Sequence, residues 1–152
     1  MTSANVIEMD PAERDAAAET IPCCEIRMPA GLLGFEHIKN YLLVAKPAEA
    51  PFRWLQVKGN PSLAFVVIEP FFFMSDYQPD IPQADVDFLG LSSPSDAAVY
   101  AIVTVSGPSR ATVNLKGPIV INRNTGLGKQ VVIANAAQYS VQQPLPVHEA
   151  AD

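Results

Sequence analysis

The stretch Ala97-Ala98-Val99-Tyr100-Ala101-Ile102-Val103-Thr104-Val105-Ser106-Gly107-Pro108-Ser109-Arg110-Ala111-Thr112-Val113-Asn114-Leu115 decides the fold class. Successive side chains of a strand face opposite sides. Val99, Ala101, Val103 and Val105 therefore form one row, and Ala98, Tyr100, Ile102 and Thr104 form the other. Both rows are apolar, which is the pattern of a central strand covered on both faces. Gly107-Pro108 is a turn signal. Beyond it the chain alternates, with Arg110, Thr112 and Asn114 outward and Ala111, Val113 and Leu115 inward. A buried strand followed by a half-buried one reads as part of an antiparallel sheet.

The same reading extends in both directions. Toward the N-terminus it predicts strands over Glu25–Met28, Tyr41–Ala45, Phe52–Val57, Leu63–Glu69 and Phe71–Tyr77. Toward the C-terminus it predicts Ile119–Asn122, Gln130–Ala134 and a short piece at Tyr139–Val141. Lys58-Gly59-Asn60-Pro61, Gly117-Pro118 and Asn124-Thr125-Gly126-Leu127-Gly128 punctuate them. Pro82 opens one helix, with Asp85 and Asp87 in its early turns and Val86, Leu89 and Leu91 inward, ending near Ser92–Pro94. Fourteen prolines and eight glycines in 152 residues argue against a helical bundle. The expected fold is all-β: a small antiparallel barrel-like or sandwich domain with one short helix near 82–91. The expected organisation is a flexible acidic tail over 1–22, one β domain over 23–147 and a short C-terminal tail over 148–152. Within the first tail, Asp10-Pro11-Ala12-Glu13 predicts a marginal helix running to Glu19.

Charge and cysteine usage narrow the function. The net charge is −6. Residues 1–25 hold six acids and one base, while the rest of the chain holds ten acids and nine dispersed bases. Nucleic-acid binding needs a basic face to neutralise phosphates, so direct binding is disfavoured. Cys23 and Cys24 are adjacent and form no disulfide framework; a reducing, cytoplasmic setting follows. The longest apolar run, Ala97 to Ser109, is about 13 residues against the ~20 that a membrane helix needs, so no membrane partner is expected. With only His37 and His148 available, no zinc set is written in the chain. The acids at 76, 80, 85 and 87 lack calcium-loop spacing. No nucleophile elbow is present. Gly126-Leu127-Gly128-Lys129 lies between strands, where it is a hairpin loop and not a phosphate cradle. No enzyme, cofactor or metal is expected.

The aromatic run Phe71-Phe72-Phe73-Met74, with Tyr77 close behind, is the strongest binding signal. Read as a strand, it is apolar on both faces, so it is either central or lines a partner groove. No Lys or Arg occurs between Leu63 and Pro82. Stacking on RNA bases would require interleaved cations.

Several ordered segments are similar to one family. Pro29-Ala30-Gly31-Leu32-Leu33-Gly34-Phe35, Pro51-Phe52-Arg53-Trp54-Leu55-Gln56 and Leu63-Ala64-Phe65-Val66-Val67-Ile68-Glu69-Pro70-Phe71 resemble the flagellar assembly factor FliW family. Val99–Val105, Ala111–Asn122 and Gly128–Ile133 continue the resemblance in the same order, with Tyr139 after them. The resemblance covers roughly residues 25–146. It implies a small all-β regulator with no catalytic role. Such proteins bind the translational repressor CsrA and stop it from silencing flagellin mRNA. They also bind flagellin, with a chaperone-like effect, so that accumulated flagellin releases CsrA.

The residues fit that implication. An acidic protein docked beside a basic RNA-binding surface repels phosphates. An amphipathic flagellin helix would suit an apolar groove, expected along Phe71–Tyr77 and the Lys58–Pro61 turn. The candidate partner contacts are Gln56, Asn60, Phe72 and Tyr77, and the candidate RNA-repelling acids are Asp85 and Asp87. Each also has an ordinary structural reading: strand-edge polar, turn former, core rim or helix start. A direct RNA-binding small β-barrel is the alternative, and a cysteine-dependent enzyme using Cys23 or Cys24 is a third reading.

Overall fold

Apolar alternation is converted into an open antiparallel sheet with a core on each side. A computed structural model describes residues 6–8, 21–107 and 110–145. The strands are β1 (Val6–Glu8), β2 (Ile21–Arg27), β3 (Asn40–Ala45), β4 (Phe52–Val57) and β5 (Asn60–Ile68). They continue with β6 (Ala97–Gly107), β7 (Arg110–Val113), β8 (Ile119–Asn122), β9 (Gly128–Gln130) and β10 (Gln143–Pro144). One helix, α1, spans Gln83–Leu89. The strand order is β10-β7-β6-β5-β4-β3-β2, with β1 beside β5, β8 beside β6 and β9 beside β8.

β6 organises this sheet. Its first four residues pair with β8, Ala101 and Ile102 pair with β5, and Val103 to Gly107 pair with β7. The sheet does not close. Its free margin touches the β8–β9 hairpin at one parallel bridge, Arg27 to Leu127, where the Arg27 N–H donates to the Gly126 carbonyl at 2.8 Å. Gly126 has φ +78°, and a Cβ there would lie 2.6 Å from the Glu25 carbonyl oxygen. Only glycine allows both the left-handed turn and this approach.

The two-row reading of β6 holds from Ala97 to Val103; beyond that the covering ends, and Val105 is 51% exposed. Ala98, Tyr100 and Ile102 enter one core with Ile26, Phe65 and Ile119. Ala101 and Val103 enter the other with Val66, Leu115 and Val120. Phe65 and Val67 of β5 face the first core, and Val66 and Ile68 face the second. Trp54 packs on the second core with Phe52. The helix expectation holds at its start, Pro82, but the helix stops at Leu89, before the expected end near Ser92–Pro94, because Gly90 takes a left-handed φ of 70°. Leu89 is buried, and Leu91 packs on the second core.

Three expected strands differ. Phe71–Tyr77 is not a strand: Pro70–Phe72 is a 3-10 turn, and the following N–H groups bond locally, Met74 to the Pro70 carbonyl and Tyr77 to the Met74 carbonyl. Pro70 fixes φ and lacks an N–H, which favours a turn start over a ladder. The strand expected over 130–134 lies earlier, at Gly128–Gln130. Beyond it Val131 and Ile133 are buried, and their N–H groups donate to the carbonyls of Pro118 and Lys116. The last strand is Gln143–Pro144 paired with β7, whereas Tyr139 follows a 3-10 turn. At the N-terminus two elements precede residue 23: β2 starts at Ile21, and β1 pairs with Leu63–Phe65. The helix expected from Asp10 to Glu19 and the tail at 148–152 lie outside the described residues.

Candidate protein-docking face

The segment leaving β5 builds the most distinctive surface. The Tyr77 ring is 2% exposed, and its hydroxyl donates to the Leu115 carbonyl at 2.7 Å. Tyr139 meets that ring edge-on at 4.8 Å, and its own hydroxyl accepts from the Gln78 N–H at 3.0 Å. The Asn135 side chain accepts from the Asp80 N–H and donates to the Gln78 carbonyl. The Ala134 N–H donates to the Asp80 carbonyl at 2.7 Å. Residues 77–80 are thereby stitched to 134–139. Phe73 and Met74 turn inward onto the second core. Phe71 and Phe72 are left outside, 43% and 63% exposed.

Behind Phe71 lies a groove of about 500 Å³, lined mainly by Phe71, Ile81, Val86, Leu91, Pro94 and Val99. No charged side chain lines it. Its polar members, Ser92 and Ser93, have their N–H groups donated to the Asp96 carboxylate at 2.9 and 3.1 Å. Those bonds hold the Asp96 carboxyl below its ordinary value. The far wall is α1, anchored by the β8–β9 hairpin. Buried Asn122 donates to the Leu89 and Gly90 carbonyls, satisfying the helix C-terminus. Lys129 pairs with Asp85, and its ammonium lies 5.5 Å from the Phe88 ring centre.

The chain segment that builds the groove carries charge of one sign. Residues 59–109 contain six acids (Glu69, Asp76, Asp80, Asp85, Asp87 and Asp96) and no Lys or Arg. Every groove residue comes from this stretch. Asp80 sits between two of them, Pro79 and Ile81, and exposed Asp87 follows a third, Val86.

The sequence candidates do not gather in one patch. Phe72 stands at this face. Asn60 opens β5, at the end of that strand remote from Phe72; the strand itself spans about 26 Å at ~3.3 Å per residue. It is exposed, and its side chain accepts from the Ser62 hydroxyl at 3.0 Å. Gln56 lies in β4 opposite Leu42 and Ala64 and is 7% exposed. The Lys58–Pro61 turn does not line the groove. Tyr77 is enclosed, so it positions the face from below. Asp85 is largely buried and its charge is matched by Lys129, leaving Asp87 as the open acid of the two. The groove itself escaped sequence reasoning. Leu91 and Val99 read as ordinary inward residues, and nothing local signals that Phe71 and Ile81 approach them.

Two other hollows are less uniform in charge. One, of about 460 Å³, runs beside Trp54, Val66 and Val105 and carries Glu49 and Arg110 at its rim. The Trp54 indole N–H donates to Glu49 at 2.9 Å there. The other, of about 440 Å³, lies at the sheet seam and contains Glu25, Arg53 and Arg123. Arg53 donates to the Tyr100 hydroxyl at 2.9 Å. Among the described residues no helix is long and apolar enough to cross a membrane, and no three His, Cys, Asp or Glu gather as metal ligands.

Comparison with known proteins agrees with this architecture. The profile of the FliW protein family matches residues 8–145. A flagellar assembly factor FliW from Leptospira biflexa is 42% identical over 109 residues, covering 70% of this chain and 71% of that protein. The one from Moorella thermoacetica is 35% identical over 134 residues, covering 87% and 84%. A crystal structure of the flagellar assembly factor FliW superposes with a TM-score of 0.72 at 34% identity, covering 80% of this chain and 85% of that one.

Proposed function

Since the chain belongs to the FliW family, we propose that it is a non-enzymatic flagellar assembly factor that works by binding two proteins in turn, CsrA and flagellin. Free protein binds CsrA and relieves its repression of flagellin mRNA. Flagellin accumulating in the cytoplasm occupies the protein, CsrA is released, and flagellin translation falls. Export of flagellin resets the cycle. Its effect on bound flagellin is also chaperone-like.

The observation that carries this reading is the pair Phe71 and Phe72, held outside the fold beside an uncharged groove in a stretch without bases. Exposed aromatics rimmed by polar residues are the usual signature of a protein contact. Nucleic acid would be repelled from the same face, because it offers acids where phosphates need cations. Phe72 is then a direct contact and Asp87 an RNA-repelling acid. Gln56 and Asn60 belong to a separate area around the β4–β5 hairpin.

Size-exclusion chromatography of the purified protein with CsrA, with and without flagellin, tests the cycle. A CsrA complex that flagellin dissolves is the expected result. Binding of flagellin alone would leave a chaperone and remove the translational role. Binding of neither, with salt-sensitive RNA binding instead, would reinstate the small RNA-binding barrel.

A further inference from the structure

We propose that the cleft at the sheet seam is a binding site for a small phosphate monoester, held by the Arg53 and Arg123 guanidiniums. It shares no lining residue with the groove behind Phe71, and the partner-binding reading does not require it.

The cleft is the mouth of an open barrel. Strands β2 to β6 and β8 all give side chains to the first core, and the two margins of the sheet meet only at the Arg27–Leu127 bridge. Side chains of a strand alternate, so Arg53 shares the inward face of β4 with Leu55, a member of that core. Its guanidinium donates to the Tyr100 hydroxyl at 2.9 Å and stands 5.8 Å from the centre of that ring. Tyr100 is 4% exposed, so a buried group fixes the direction of the cation. Arg123 comes from the turn after β8, on the other side of the seam. It is exposed, and its side chain forms no ion pair among the described residues. Leu43, Ala98 and Ile121, all buried, supply apolar wall, and Thr125 adds a polar group. Apolar walls with a few convergent polar groups, in the mouth of a barrel, are the usual anatomy of a small-ligand site. The volume, about 440 Å³, falls within the roughly 300–1,000 Å³ of such sites.

Charge within the lining selects the ligand. Among the described residues its one acid is Glu25, which pairs with Lys58 at 2.5 Å. Asp96, which hydrogen bonds bring beside the cleft at Arg123 and Asn124, already accepts from the Ser92 and Ser93 N–H groups and from the Asn124 amide. With Glu25 matched, the lining presents two positive charges, both guanidiniums. A guanidinium fits phosphate oxygens bidentately, and two of them suit the dianion of a monoester. Nucleic acid carries its charge along a backbone and needs a track of cations, whereas this mouth offers two.

The probe is phenyl phosphate, titrated into the full isotope-labelled chain and followed by amide NMR. Signals of Arg53, Arg123, Thr125 and Gly126 should shift and saturate. Inorganic phosphate, which lacks the apolar body, should bind at least about fivefold more weakly, because the ring covers the apolar wall. Affinity should fall as pH drops through about 6, where the dianion takes a proton. Arg123→Ala should weaken binding about tenfold, as loss of a charge-assisted hydrogen bond does, with Tm unchanged because the side chain is exposed. Arg53→Lys keeps the charge without the fork and should also weaken it. Arg110→Ala, at the hollow beside Trp54, should change nothing.

Unchanged affinity in Arg123→Ala overturns the proposal. So does inorganic phosphate binding as tightly as phenyl phosphate, or the absence of saturable shifts at the cleft. Tighter binding of a single-stranded oligonucleotide at the same signals would also overturn it, making the cleft part of a nucleic-acid track.

Discussion

Two tyrosines receive opposite consequences from the same one-atom deletion. Tyr41 and Tyr77 are 0% and 2% exposed. The Tyr77 hydroxyl donates to the Leu115 carbonyl, whereas the Tyr41 hydroxyl is buried with no hydrogen-bond partner among the described residues. Tyr77→Phe strands a buried carbonyl and should cost about 1–2 kcal/mol. Tyr41→Phe removes a polar group that gains nothing from burial and should be neutral or stabilise by up to ~1 kcal/mol. Both changes keep the ring, so the Tyr77–Tyr139 contact and the tilted Tyr41–Phe65 contact at 6.3 Å persist. The cavity terms are the same, and the difference isolates the hydrogen bond. Urea unfolding followed by the fluorescence of Trp54, the one tryptophan of the chain, reads it. With a urea slope of ~2 kcal/mol/M, the two midpoints should separate by about 1 M. Equal midpoints, or a larger loss in Tyr41→Phe, would refute the reasoning. The Tyr77→Phe protein should still bind its partners, since Tyr77 supports the face from beneath.

The remaining expectations concern pH, the α1 anchor and the sheet seam. Burial pushes the Tyr41 hydroxyl up to about 12 and raises Tyr77 as well. Both keep their protons in the folded state where the unfolded chain, titrating near 10, loses them. Their contribution is therefore complete below about pH 10 and is lost as pH climbs through the folded values. Tyr41→Phe should flatten the fall in midpoint above pH 10, and an unchanged slope would count against it. Lys129→Met leaves Asp85 unmatched in a largely buried site and should cost about 1–2 kcal/mol, below the fully buried range because Lys129 is partly exposed. Adding Asp85→Asn should recover part of that loss in a double-mutant cycle. Gly126→Ala places a Cβ against the Glu25 carbonyl at a positive φ. It should cost about 2 kcal/mol and lower Tm by roughly 4–8 °C, read by calorimetry.

Legibility differed between fold and site for identifiable reasons. The two-faced apolar run at 97–105 announced a central strand, and β6 is central. Pro82 marked the start of α1, because caps act through local backbone geometry, whereas the helix stops at Gly90, ahead of the expected end near Ser92–Pro94. The run at 71–77 misled because hydrophobic content resembles a strand, while Pro70 and local hydrogen bonds set a turn. Asp85 read as an open acid because its neutraliser, Lys129, stands 44 positions away. Tyr77 read as a contact because Leu115 and Tyr139, which enclose it, are equally remote in the chain.

By itself the sequence determined most of the strands, the start of the helix, the two-sided burial of the central strands and the one-signed charge of residues 59–109. These depend on backbone periodicity, on glycine and proline geometry, and on composition, all of which act over a few residues. Only the tertiary structure decided that the sheet stays open, that 77–80 is stitched to 134–139, and that Phe71, Ile81, Leu91 and Val99 share one groove. Those outcomes depend on pairing and packing between segments tens of residues apart, and no local pattern encodes which distant side chain completes a hydrogen bond, neutralises a charge or forms the opposite wall.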